Sequence, residues 1–450
     1  MELEGFADND FLGVGAGVAA IDNAHVTVRD SKFNLSGVTR CAIHAAGDSR
    51  VVVKNCDIEN ISPDSDRLGF FSWNVGFLGT NRLNQLADNA QVEYHGCRMK
   101  TNGWGVLSID GSDEGVKMLV KDSSIELSGP RAHGYGAFCI GENEVTFDHV
   151  QADVYGYPMM LMGMQGLGRA SIINGSVIRG RRFGAFVDSD DNSILTLADS
   201  SFDTGKSTLV VKGSGGTLID VKNCEMKAGN GVLLQMMDTD EDGMTSVEFL
   251  VPAGETDSPV EGRDLTAVSE REDIRLRLRD MTAEGDIYNS TTNLRACERG
   301  AHGSPGEFHD TLIGPVGFFD APPEGMLMPP DNHGPKNLGV SLENARVTGV
   351  ISAAGQAYRD GVTRITEDNR MEMSNVRQWA QPPVNNGVCV SLDGESAWTV
   401  TGDSWITALT LAEGAALAAP AGKALTMTVN GEKTPVRPGR YVGVIRLTVE

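Results

Sequence analysis

The sequence predicts an all-β solenoid, and three observations carry that prediction. The first is an eight-residue phrase that keeps returning: apolar, any, apolar, any, a small polar pair, any, apolar. It reads Val26-Thr27-Val28-Arg29-Asp30-Ser31-Lys32-Phe33, then Val51-Val52-Val53-Lys54-Asn55-Cys56-Asp57-Ile58. It returns as Leu195-Thr196-Leu197-Ala198-Asp199-Ser200-Ser201-Phe202 and Ile219-Asp220-Val221-Lys222-Asn223-Cys224-Glu225-Met226. The second is its period. The sixth position falls at Ser31, Cys56, Cys97, Ser123, Val150, Ser176, Ser200 and Cys224, at intervals of 25, 41, 26, 27, 26, 24 and 24 residues. Two-residue alternation inside a unit of nearly constant length is the signature of stacked coils. The third is composition: 54 glycines and many Asn and Asp residues suit short strands joined by tight corners. A chain of 450 residues exceeds the usual compact domain, and a solenoid accommodates it because its core lengthens without thickening.

Clear coils run to about residue 283, with insertions expected near 61–90 and 284–337. Weaker units resume at Val340-Ser341-Leu342-Glu343-Asn344-Ala345 and Met371-Glu372-Met373-Ser374-Asn375-Val376. From Trp398 the strands are expected to turn antiparallel, with Val429-Asn430-Gly431-Glu432 as a hairpin turn. The division is therefore a parallel solenoid over 1–397 and a small C-terminal β cap over 398–450, since a terminal unit must cover an open apolar end.

A formal charge of −23 and a pI near 4.7 argue against nucleic acid or an anionic membrane as partner. No run of 18 apolar residues occurs. The first residues lack the basic and apolar regions of a secretory signal. Seven cysteines is an odd number, and Cys56, Cys97 and Cys224 share one repeat column with Ser31, Ser123 and Ser200. Such cysteines read as free, small stacking residues, which favours a reducing cytoplasm. A secreted chain trimmed of its signal would read the same way.

The repeat resembles the right-handed parallel β-helix of the pectin-lyase-like superfamily over most of residues 13–380. The resemblance implies a right-handed coil and favours a saccharide ligand. It implies no single activity, because that superfamily includes polysaccharide lyases, glycoside hydrolases, epimerases, adhesins and phage tailspikes. The polygalacturonase motifs are missing in their usual order: Asp190-Asp191 follows Ala132-His133-Gly134, and no Arg-Ile-Lys occurs. The Trp-Ile-Asp-His signature of pectate lyases is absent too.

Aligning a further strand of each coil gives the column Ile43, Leu107, Phe138, Met160, Phe186, Val210 and Leu233, expected to point into the core. Alternation then sends neighbouring columns outward. Trp104, Tyr135, Tyr157 and Phe183 are expected to form an outward aromatic ladder with Arg40 at one end. Ala42, Val106, Ala137, Met159 and Ala185 make a shallow floor, and His44, Ser108, Asp110 and Cys139 line its far side. Trp, Tyr and Phe number only 5, 7 and 15, so four rings in one exposed column favour a ligand platform. The alternative is a ladder packed beneath an insertion or a partner subunit. The first insertion carries Phe70-Phe71-Ser72-Trp73-Asn74-Val75-Gly76-Phe77, which sets Ser72 or Asn74 between His44 and Ser108. The second carries Tyr288, Cys297, Arg299, His302, His309 and His333. Long loops on a rigid scaffold are where binding residues concentrate.

These residues suit proton transfer. His44 is the candidate general base, Asp110 its partner or the acid, and Tyr135 or His133 the second proton donor. Arg40 is placed to hold a carboxylate or enolate oxygen. Trp73, Asn74, Trp104, Ser108, Tyr157 and Phe183 complete the expected substrate contacts. Cys139 reads as a structural thiol, because a nucleophile needs a nearby base. Asp188, Asp190 and Asp191, near Arg181, Arg182 and Lys212, read as a solvated acidic corner, with calcium binding or glycosidic protonation as the sharper alternative. Asp238, Asp240 and Asp242 stand at positions 1, 3 and 5 of a calcium-like loop, with Gly243 at 6. Position 12 is Phe249, and Glu248 stands one place early, so calcium there is weakly held. The second insertion's histidines match no standard zinc spacing, and the chemistry needs no other cofactor.

The functional expectation is an acid/base enzyme of lyase, isomerase or epimerase type, acting on a ring-bearing substrate, foremost a saccharide. A small phenolic or other cyclic metabolite is the second expectation. The third is a non-catalytic carbohydrate-binding or assembly module, in which the ladder joins copies into a homo-oligomer.

Overall fold

A computed structural model describes residues 13, 15–36, 40–61, 82–103, 105–109, 115–129, 134–163, 167–189, 193–213, 216–237, 251–252, 273–291, 326–327, 337–362, 369–384 and 386–450. Each repeat is built around one corner, set by the small polar pair. The first member of the pair has a left-handed backbone: Asp30, Asn55, Gly96, Asp122, His149, Asn174, Asp199, Asn223, Asp280 and Asn344 have φ between 48° and 62°. Asn, Asp and Gly are the residues that enter this region most readily. The second member folds its γ atom back onto the chain. Ser31 Oγ donates to Arg29 O, Cys56 Sγ to Lys54 O, Ser123 Oγ to Lys121 O, Ser200 Oγ to Ala198 O and Cys224 Sγ to Lys222 O. Ser and Cys interchange here because each offers one hydrogen on a short side chain.

Strands before the corner form a first sheet: His25–Arg29, Arg50–Lys54, Gln91–His95, Lys117–Lys121, Glu144–Asp148, Gly168–Ile173, Ser193–Ala198, Thr217–Lys222, Ile274–Glu284 and Leu338–Gly349, all paired in parallel. Strands after it form a second sheet of eight, from Lys32–Leu35 to Glu225–Ala228. A third sheet closes each coil and breaks once. Val18–Ala20, Ile43–Ala45 and Asn84–Leu86 make a three-stranded part, and a nine-stranded part begins at Gly105–Ile109. Residues of all three sheets share one apolar lumen. The architecture is a parallel β-helix, with no α-helix among the described residues.

Parallel stacking continues past Trp398. Ala397–Val400 pairs in parallel with Leu338–Gly349 and Ala416–Ala418, and Ser404–Leu411 with Val388–Leu392. Trp398 is a lumen residue whose Nε1 donates to Gly349 O at 2.9 Å, so its strand belongs to a coil. The antiparallel cap involves Leu425–Val429 and Gly439–Val449, the latter also pairing with Ser404–Leu411. Val429 and Glu432 pair across Asn430 and Gly431, both at positive φ, which is the hairpin chemistry expected there. The second insertion starts later than 284, because Asp286–Ser290 is a strand of the third sheet and carries Tyr288. A further long interval, between Val232–Met236 and Ile274–Glu284, has no counterpart in the sequence reading.

The third sheet reverses the expected inside and outside. Its register pairs Ser108, not Leu107, with Phe138, and then Phe138 with Met160, Phe186 and Val210. Those four apolar residues form part of a separate cluster on the outer face. Ala137, Met159, Ala185 and Leu209 line the lumen one place earlier, with Cys139, Leu161, Val187 and Val211 one place later. Ile43, Leu107 and Leu233 do face the lumen, as do the supposed floor residues Ala42 and Val106. Large apolar side chains do not mark the lumen here, because a second layer covers this sheet from outside.

The corner makes a direct prediction. Asn223→Val places a β-branched residue at φ 48° and is expected to cost about 1–3 kcal/mol, whereas Asn223→Gly is expected to cost less than about 1 kcal/mol. Thermal unfolding of the two variants checks this order; equal losses contradict it.

Candidate functional site

The corner between the first and second sheets is nearly constant in length, whereas chain joining the third sheet to its neighbours is not. Residues 62–81 precede a third-sheet strand, and residues 238–272 and 292–336 follow one. Residues 359–375 join Ile351–Tyr358 to Val376–Ala380, which pairs with it antiparallel. Chain of variable length next to the strands of one sheet marks that sheet as the working side.

The outer face of that sheet carries the aromatic column, and the returning chain covers it. Tyr135, Phe138, Tyr157, Met160, Phe183 and Phe186 form one buried cluster with Tyr358, Met373 and Val376. Tyr157 stacks on Phe183 with centroids 5.0 Å apart and planes 12° from parallel. Tyr157 OH meets Ser374 Oγ at 2.9 Å, and Gln235 Nε2 donates to Ser374 O at 2.8 Å. Arg182 Nη2 donates to Met371 O and Met373 O. Gln378 Nε2 donates to Met236 O and Ser290 Oγ. Side chains from the solenoid thus hold the backbone of 371–374 over the rings. The expected solvent-facing ladder is corrected: Tyr157 and Phe183 are fully buried, and Tyr135 nearly so.

Charged groups gather on the same face. Arg182, Asp188 and Lys212 are 4%, 7% and 0% exposed, and the neutral amide of Gln235 is buried with them. Asp188 and Lys212 are partners on adjacent strands, and Lys212 Nζ lies 5.1 Å from the Phe186 centroid. Arg182 Cζ and Lys206 Nζ lie 5.0 and 5.9 Å from the Phe183 centroid. Lys206 is half-buried. Desolvation, then repulsion from Arg182, bring its ammonium pKa down to about 8. The sequence reading missed Lys206, although it stands one period after Arg182 and occupies the equivalent turn.

Among the other expected site residues, the structure brings Ser108 and Tyr135 together. Ser108 Oγ and Tyr135 OH are 3.4 Å apart, buried, on adjacent strands. His44 lies in the three-stranded part, paired with Ala19 and Gln85. It is 5% exposed, and the backbone of Gly13 lies so close that a Cβ there would fall 2.2 Å from the ring. Burial lowers its pKa, while a hydrogen bond to Gln85 and the charge of Asp88 oppose the shift. Arg40 is half-buried against Gly15. Cys139 faces the lumen, where burial pushes its thiol up to about 12, in keeping with a structural role. Arg181 pairs with Asp153 at 3.0 Å, so it turns away from the proposed aspartate cluster. Asp110, His133, Trp73, Asn74, Trp104, Asp190, Asp191, Asp238, Asp240 and Asp242 lie outside the described residues. The described residues hold no group of three or more His, Cys, Asp or Glu arranged for a metal ion, and no helix among them is long and apolar enough to cross a membrane.

Comparison with known proteins returned no match to a family model, to a curated protein or to a solved structure.

Two predictions follow from this geometry. A lowered His44 pKa means that the folded chain binds fewer protons than the unfolded one below the ordinary value of 6.5. Stability is therefore lost as pH falls from 6.5 toward the lowered value, and His44→Gln should flatten that part of a plot of Tm against pH. An unchanged slope contradicts the assignment. Arg182→Met leaves two carbonyls without their donor and should weaken the covering layer by about 1–3 kcal/mol. Hydrogen exchange should then rise at 371–376 while the first sheet stays protected.

Proposed function

We propose that the protein is an acid/base enzyme of lyase, isomerase or epimerase type, acting on a saccharide at the outer face of the third sheet. The observation that carries this reading is the burial of three ionisable groups, Arg182, Asp188 and Lys212, on an exterior face away from the lumen. Desolvating charge destabilises a fold, and buried ionisable groups in clefts are concentrated where chemistry uses them. Tyr135 is the candidate proton donor, relayed by Ser108. Asp110 directly follows Gly105–Ile109 and His133 stands two residues before Tyr135–Ile140, and they are kept as the expected acid and second donor. The repeat's likeness to the pectin-lyase-like superfamily supports the saccharide class, and a smaller cyclic metabolite remains the alternative substrate.

One observation favours a second reading. The complete burial of Tyr157 and Phe183 beneath the chain's own residues suits a non-catalytic carbohydrate-binding or assembly module, in which the rings serve packing. The two readings separate on Tyr135→Phe, which keeps the ring and removes the hydroxyl. Turnover of an oligosaccharide panel should fall by about 10²-fold or more while thermal stability changes by less than about 1.5 kcal/mol. Binding without turnover in the unaltered chain would favour the module.

A further inference from the structure

We propose that Lys206 is a carbonyl-reactive amine, a site where the outer face captures an aldehyde or ketone, such as the open-chain form of a reducing sugar, as a Schiff base. The site is an amine held among cations against an aromatic wall. Lys206 sits in the turn between Ser201–Thr204 and Leu209–Gly213, and its backbone N–H donates to Arg182 O at 2.6 Å. Its Nζ and the Arg182 guanidinium both lie over Phe183. Arg182 is fixed there by its bonds to the carbonyls of Met371 and Met373. Arg359 adds a second positive charge, its Nε bonded to Val376 O at 3.2 Å, while Glu372 and Asp360 oppose it. No carboxylate lies within 4.0 Å of Nζ among the described residues, so no ion pair there holds the ammonium in its charged form. Lys206 as a whole is half-buried rather than enclosed.

A desolvated lysine beside other cations is the arrangement that frees an amine for attack on a carbonyl. With a pKa of about 8, Lys206 carries far more free base at neutral pH than an ordinary lysine. The nitrogen adds to the carbonyl carbon, forming a C–N bond and a carbinolamine. The carbinolamine then loses its hydroxyl as water, and C=N replaces C=O. Solvent takes the proton released by the nitrogen and delivers one to the departing hydroxyl, so Glu372 acts on the step only through its charge. The step consumes one carbonyl compound, releases one water and needs no oxidant or reductant.

The test uses the full chain, glyoxylate as the aldehyde and cyanoborohydride to reduce the imine, followed by peptide mapping. At neutral pH, Lys206 should gain a carboxymethyl group about ten times faster than exposed lysines such as Lys32 and Lys54. Its rate should rise with pH and level off above about 8. Arg359→Gln removes a cation and should slow labelling at neutral pH, whereas Glu372→Gln removes the opposing charge and should speed it. Labelling of Lys206 no faster than of Lys32, or equal rates in both folded variants, overturns the proposal. Trapping is read without saccharide turnover, so its failure leaves the acid/base reading standing, and the reverse also holds.

Discussion

In-register stacking is the constraint on which the rest of this structure depends. Each residue of a parallel coil has its own equivalent as neighbour about 4.8 Å away. A backbone turn must therefore be acceptable at every level, and a side chain must tolerate a copy of its own position above and below. Stacked carboxylates would repel, and the corner column shows how that is avoided. Asn55 Nδ2 donates to Asp30 Oδ1, His149 meets Asp122 Oδ1 at 2.8 Å, and Asn223 and Asn344 donate to Asp199 and Asp280. The outer surfaces of the first two sheets follow the same rule with charge. Arg98 faces Asp57, Lys100 faces Glu126, Arg279 faces Asp220 and Arg277 faces Glu343, each on a neighbouring strand. Such exposed pairs are individually weak. Together they offset the like charges that the register does set side by side, such as Arg29 with Lys54 and Glu126 with Asp153.

The same constraint decides what could be read from the sequence. Strands buried on one side alternate cleanly: Val51, Val53 and Ile58 are buried, Arg50 and Lys54 exposed, and the phrase that reveals the period is made of such strands. The corner was legible for a related reason, since only a few residue types accept its φ. The third sheet was legible as a recurring strand but not in phase. Gly105–Ile109 and Val232–Met236 are buried at every position, so alternation of polarity is lost. A one-residue slip then exchanges the two faces. Choosing Leu107 over Ser108 as the partner of Phe138 is that slip. Tyr157 and Phe183 were correctly seen to stack. Their cover was invisible, because Ser374 lies 217 residues beyond Tyr157 and no local pattern announces the contact.

Lumen and outer layer are consequently under different rules. The lumen must be apolar at nearly every level, and the corner must repeat. The outer face answers to neither requirement, since residues 371–374 over it are held by side-chain bonds to individual carbonyls, ahead of the strand Val376–Ala380. It can change residue by residue without disturbing the coil beneath.

One column makes the difference concrete. Ile140, Met162, Asp188 and Lys212 occupy equivalent places on four successive strands, all on the outer face. Met162 is 2% exposed and belongs to the apolar cluster with Phe138 and Met160, so a methionine at this position fills the space between coil and cover. Stacking alone would be served by the same residue at the next two levels. Asp188 and Lys212 stand there instead, and burying a carboxylate and an ammonium is commonly no more stabilising than apolar packing of similar size. What separates them from Met162 is therefore not the fold's demand but their charge. The column thus passes from a stretch that only packs to one that holds ionisable groups out of water, with Lys212 over the ring of Phe186 and in the same coil as Lys206.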